Sequence, residues 1–147
     1  MKRALAFLTF LSIWAGDATR ASAAESEREI VVIVNPANTM NAIDRKFLAQ
    51  IFLKKKTRGP NGESVFPADL SASSEIREWF SERFLERGVS AVKNYWQRNI
   101  FSGYKVPPPE FDREEDVTNY VRDHPGAIGY VSEPSKAGGT KVLSVDE

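Results

Sequence analysis

The 147-residue chain contains no cysteine. Disulfides, thiolate nucleophiles and cysteine metal sites are therefore excluded, and stability must come from packing. No lipid-modified cysteine can anchor the chain. Histidine is almost as scarce, with His124 the only one. A single imidazole without thiols makes a poor metal site. Its place before Pro125-Gly126 puts it in the last turn of a helix, where it complements the helix dipole. A Gly-x-Ser-x-Gly turn, the elbow that exposes a serine nucleophile, is missing. Neither sign of charge dominates, with 20 basic and 20 acidic residues. Such a chain has no global field for gathering polyanions, so nucleic acid is not an expected partner. No apolar run is long enough to span a bilayer. Nothing here points to an enzyme or to a cofactor.

What is present begins with an export signal. Lys2 and Arg3 precede an apolar stretch from Ala4 to Gly16, and Ala21-Ser22-Ala23 or Ser22-Ala23-Ala24 offers small residues for cleavage. Residues 1–24 read as a signal peptide and residues 25–147 as one α/β domain, long enough for a core but short for two. Removing the leader takes three bases and one acid, leaving 17 and 19 and a formal charge of −2. A periplasmic or secreted location is expected, with no membrane span after cleavage.

Ile30 to Val34 is a continuous β-branched run, as in a strand buried on both faces. Asn41, with Asp44 three residues on, reads as the cap of a helix whose apolar face is Ile43, Phe47, Leu48, Ile51 and Phe52. Lys54 to Arg58 reads as positive charge compensating the end of that helix. Glu63 to Asp69 suits a strand that Pro67 demotes to an edge. A second helix carries Ile76, Trp79, Phe80 and Phe84 inward and stops at Gly88. Ser90 is placed as the cap of a third, with Val92, Tyr95, Trp96 and Ile100 along it. Asp112 and Glu115 match a capping box for a fourth, with Val117, Tyr120 and Val121 inward. The carboxylates of Glu114 and Glu115 there support the helix dipole. Ala127–Val131 and Lys141–Val145 close the chain as strands. Helices separating most of the strands argue for an α/β fold with a mixed sheet flanked by helices.

Asp69 to Phe80 runs from a strand end through a serine-rich turn into a helix. Ser71, Ser73 and Ser74 stand where a helix leaves its first N–H groups open, a position that caps the helix and that can also hold an oxyanion. Arg77 would add charge, and Asn38 or Thr39 further donors from the loop after the first strand. Loops converging at strand ends are common in α/β sheets.

Several stretches occur in an order that resembles a known family. They are Gln50-Ile51-Phe52-Leu53-Lys54-Lys55, the turn at Gly62, the serine turn reaching Phe80, Tyr95-Trp96 with Phe101-Ser102-Gly103, and Pro125 to Val131. Together they resemble the phosphate ABC transporter substrate-binding proteins, of the type 2 periplasmic-binding-protein fold. The resemblance implies an exported single-lobe domain that binds phosphate or a similar oxyanion and works with an ABC transporter permease. Two departures stand out. Those proteins have two lobes, where this chain has length for one. They also carry Ser-Gly-Thr at the start of the helix, where this chain has Ser74-Glu75-Ile76. A second function class follows from the departures: a non-catalytic envelope module that kept the fold without the ligand. It would contact another envelope protein through Tyr104 and the run Val106 to Pro109.

Overall fold

In this computed structural model, which describes residues 29–147, the apolar run after Glu29 becomes strand β1, Val31–Val34, buried at all four residues. The expected signal peptide lies outside the described residues. Six further strands follow: β2 (Ala42–Asp44), β3 (Phe66–Pro67), β4 (Asp69–Leu70), β5 (Glu110–Phe111), β6 (Ala127–Val131) and β7 (Lys141–Asp146). Four α-helices intervene: α1 (Arg45–Phe52), α2 (Glu75–Phe84), α3 (Val89–Phe101) and α4 (Glu114–Asp123). Five strands form one sheet in the order β2-β7-β1-β6-β3, and β4 and β5 form a separate pair. The main sheet is mixed. β1 is antiparallel to both neighbours, with Val31 opposite Val131 and Val32 opposite Leu143. β2 runs parallel to β7, and β3 parallel to β6.

Strand β6 shows how the helices are layered, because successive side chains point to opposite faces. A Cβ on Gly129 would lie 2.6 Å from Val117 and 3.1 Å from Val121, so α4 rests directly on that face. Tyr130 turns the other way. Its ring stacks on Phe80 of α2 at 3.8 Å between centroids and tilts against Phe52 of α1 at 5.8 Å. The sheet is thus a middle layer with helices on both sides. The expected α/β class with a mixed sheet is what forms.

Pro67 lies on the edge strand β3. The N–H groups of Phe66 and Ala68 bond to Gly126 and Ile128 across the pair, so the N–H of residue 67 would point away from the sheet. Proline loses nothing there. Facing it, Gly126 has φ +83°, and a Cβ would lie 2.6 Å from the Ser64 carbonyl oxygen.

Three helix starts differ from the expected ones. Residues 42–44 form β2, so Asn41 caps nothing, and Asp44 is the N-cap of α1, its Oδ1 accepting from Phe47 N at 2.9 Å. Helix α2 closes at Leu85, with Glu86 taking the left-handed conformation at φ +52°. Gly88 instead opens α3 as its N-cap, which places Ser90 inside the helix. For α4 the N-cap is Arg113, without a side-chain cap bond. Its Nε and Nη2 reach Asp116 at 3.0 and 2.9 Å, so the expected Asp112–Glu115 box does not form. Tyr120 is half-buried, packing on Phe111 and stacking on His124.

Candidate anion-binding site

The serine turn grows out of the β4–β5 pair. Ser71 N–H extends the pairing to Phe111 O at 2.9 Å, and Ser74 N–H bonds back to Ser71 O at 3.0 Å. Ser74 then caps α2 from an extended backbone, its hydroxyl accepting from Arg77 N at 3.4 Å. The Ser71 and Ser73 hydroxyls lie 3.0 Å apart. The N–H groups of Ser73, Glu75 and Ile76 have no hydrogen-bond partner among the described residues. They are the donors that a helix start leaves open.

Ser74 and Leu70 border a cleft of about 630 Å³ whose other wall is the first turns of α4 and the segment after β6. Arg113, Glu114, Thr118 and Lys136 line that wall. Its charges are largely used within the fold. Glu114 accepts from Ser132 N at 2.6 Å, from the Ser132 hydroxyl at 3.1 Å and from Lys136 Nζ at 2.9 Å. Burial alone would raise the Glu114 carboxyl. The Ser132 N–H, the Lys136 ammonium and the Ser132 hydroxyl outweigh it and hold the group below its ordinary value. A group depressed in this way stabilises the fold above its unfolded pKa, about 4.3, and the contribution fades as pH falls through the folded value. Glu114→Gln should therefore cost about 1–3 kcal/mol at neutral pH. Urea unfolding should show the variant and parent converging below about pH 4. Parallel curves would mean that the carboxylate is not ionised in these bonds.

Beneath the turn, Arg77 enters the core instead of the cleft. It is 4% exposed and forms an ion pair with Asp69 Oδ2; the Asp69 side chain is equally hidden. Asp69 Oδ1 accepts from Tyr130 Oη at 2.5 Å and from Leu70 N at 2.9 Å. Burial pushes the Tyr130 hydroxyl up to about 12, with Arg77 pulling against it. This buried cluster pins β4, α2 and β6 together directly under the serines.

The two loops that were expected to converge lie at opposite ends of the sheet. Val34 pairs with Ile128 and Phe66 with Ala127, so the loop after β1 sits at the start of β3 and β6. The serine turn lies beyond the far end of β3, past β4. The reason is topological: β1 runs antiparallel to β6, whereas convergence requires parallel strands. Asn38 is buried, its Oδ1 accepting from Met40 N at 2.8 Å, and Thr39 accepts from Asn61 Nδ2 at 2.9 Å. Asn38 borders a different cleft, of about 340 Å³, with Glu63, Ser64 and Gly126. Sequence reading missed the cleft wall at Arg113, Thr118 and Lys136. Its signal was weak, because these residues lie on two elements some 20 positions apart and follow no motif.

No protein-family model matches the chain, and no curated protein matches its sequence. Solved structures do match. An ABC-type phosphate transport receptor from Vibrio cholerae superposes with TM-score 0.60 at 17% identity, over 79% of this chain and 45% of that one. A putative phosphate ABC transporter substrate-binding protein with bound phosphate from Clostridium perfringens gives TM-score 0.62 at 16% identity, over 80% and 44%. A possible phosphate binding protein from Planctomyces limnophilus gives 0.58 at 17% identity, over 88% and 49%. The chain spans less than half the length of each of these structures. What the chain shares with these structures is the fold of about half of each.

Proposed function

We propose that this domain binds a small oxyanion, phosphate or a close analogue, at the Ser71–Ser74 turn, and that it serves an ABC transporter permease as a substrate-binding component. One observation carries the reading: the open N–H groups of Ser73, Glu75 and Ile76 belong to a turn with three serines, of which Ser74 borders a cleft. Donors fixed at a helix start favour an anion without further reorganisation. Arg77 contributes from below, holding the turn in place through Asp69. Asn38 and Thr39, at the other end of the sheet, take no part. The fold of the phosphate-binding neighbours supports the same reading. Export to the periplasm fits it as well.

The test is thermal unfolding of the chain against phosphate, sulfate and chloride at matched ionic strength. A ligand bound only by the folded state stabilises it by about 2.7 kcal/mol at a hundredfold excess over its dissociation constant. Phosphate should raise the Tm selectively. Ser74→Ala should lower the unliganded stability by about 1 kcal/mol through the lost cap and abolish the phosphate shift. A Tm indifferent to every anion at millimolar concentration would remove the transport reading in favour of an interaction module. The carboxylate of Glu75, in the first turn of α2, would then be the reason.

A further inference from the structure

Two stretches of chain meet at the end of α3, and together they hold no acid. Residues 54–62 contain Lys54, Lys55, Lys56 and Arg58, and residues 98–109 contain Arg98 and Lys105; neither stretch includes Asp or Glu. The fold joins them directly. Lys105 Nζ donates to Lys54 O at 2.8 Å, Lys54 Nζ reaches Pro107 O at 3.4 Å, and Tyr95 Oη donates to Leu53 O at 2.8 Å. None of these six cations forms an ion pair among the described residues, a state they share with Lys46, Arg83, Arg87, Lys93 and Lys141; what distinguishes the six is that they lie on two joined stretches without an acid. A chain of zero formal net charge thus carries six cations without ion pairs on two stretches that meet.

Apolar side chains project from the same place. Phe101 is 91% exposed, Tyr104 79% and Val106 69%, on a turn that passes through Gly103 at φ +67°. Lys105 Nζ lies 5.9 Å from the Tyr104 ring centroid. Exposed aromatic residues amid cations that no carboxylate neutralises match a surface that is anionic outside and apolar just beneath. Protein–protein interfaces are depleted in lysine, yet four of the six cations here are lysines. Headgroups of anionic lipids attract such a cluster, while Phe and Tyr settle at the acyl boundary. We infer that this patch seats the domain peripherally on an anionic lipid surface, with Phe101, Tyr104 and Val106 inserted and the lysines on the headgroups. No helix among the described residues is long and apolar enough to cross a membrane. The patch is separate from the anion site and stands or falls independently of it.

The lack of native cysteine makes a single-site probe specific. The chain bearing Phe101→Cys, labelled with a polarity-sensitive fluorophore, is titrated with vesicles of mixed phosphatidylglycerol and phosphatidylcholine. The emission should shift to the blue, and it should not do so with phosphatidylcholine alone. The same label at Gly138→Cys, on an exposed loop, should stay unchanged. The probe reports its own surroundings, so attachment of the chain through another segment gives no signal at position 101. Lys55→Gln with Arg98→Gln, both exposed and without a side-chain ion pair among the described residues, should raise the half-saturating lipid concentration by roughly fivefold per cation removed. No shift at position 101, or an equal one with neutral vesicles, would overturn the inference. A shift that grows with protein concentration in the absence of lipid would also overturn it, by assigning the face to a second copy of the chain.

Discussion

Asp69→Asn should destabilise the domain by about 3–5 kcal/mol, the usual consequence of leaving a buried charge without its partner. The substitution keeps the shape of the side chain and an oxygen for Tyr130 and Leu70. It removes only the negative charge that faces Arg77, whose surroundings admit almost no water. Nε of Arg77 has no hydrogen-bond partner among the described residues, so Asp69 supplies the one opposite charge paired with this guanidinium there. Against the 5–15 kcal/mol typical of a domain, such a loss is a large share of the whole. Replacing both partners, Asp69→Asn with Arg77→Met, should recover much of it, because an apolar group of similar length incurs no desolvation of charge. A double-mutant cycle by urea unfolding, followed through tryptophan fluorescence, measures the coupling. Single variants within about 1 kcal/mol of the parent would show that water reaches the pair and that the serine turn is not held from below.

How much of this was legible beforehand follows from which signals are periodic. β1 and β6 are long apolar runs, and both formed where the pattern placed them. The four helices were visible from apolar residues at helical spacing, but three of their starts were misplaced. Ser, Asn and Asp are good caps wherever the backbone needs one, and sequence alone does not say where that is. Asn41 lost to Asp44 because residues 42–44 add an edge strand beside β7, a contact more than 100 positions away. The two-residue strands β4 and β5 have no period to read. The serine turn was legible because capping chemistry is local. The company it keeps was not, since the antiparallel placement of β1 decides which loops meet, and strand direction leaves no mark on composition. Arg77 shows the same limit. A helical periodicity marks it as neither core nor surface, and only the buried Asp69 explains why an arginine lies inside.

Phe80→Ala is expected to cost as much as the loss of Asp69, about 3–5 kcal/mol, through packing alone. Phe80 is fully buried, stacked on Tyr130 at 3.8 Å and tilted against Phe52 at 4.6 Å and Phe84 at 5.3 Å. It is the point at which α2 meets both α1 and the sheet. Removing the ring deletes buried apolar surface, leaves a cavity that the surrounding elements fill only in part, and dissolves the aromatic contacts, each worth about 0.5–1.5 kcal/mol beyond its area. Phe80→Leu should lose distinctly less, because most of the volume remains. The urea midpoint should fall with an unchanged slope, since the same surface is exposed on unfolding. The consequence for function is separable. Phe80 lies on the second turn of α2 and the open amides on its first, so Phe80→Leu should keep phosphate-dependent stabilisation while Ser74→Ala loses it. If Phe80→Leu abolished the phosphate shift in a still-folded chain, the stack would be fixing the angle of α2, and the site would depend on that angle as much as on the serines.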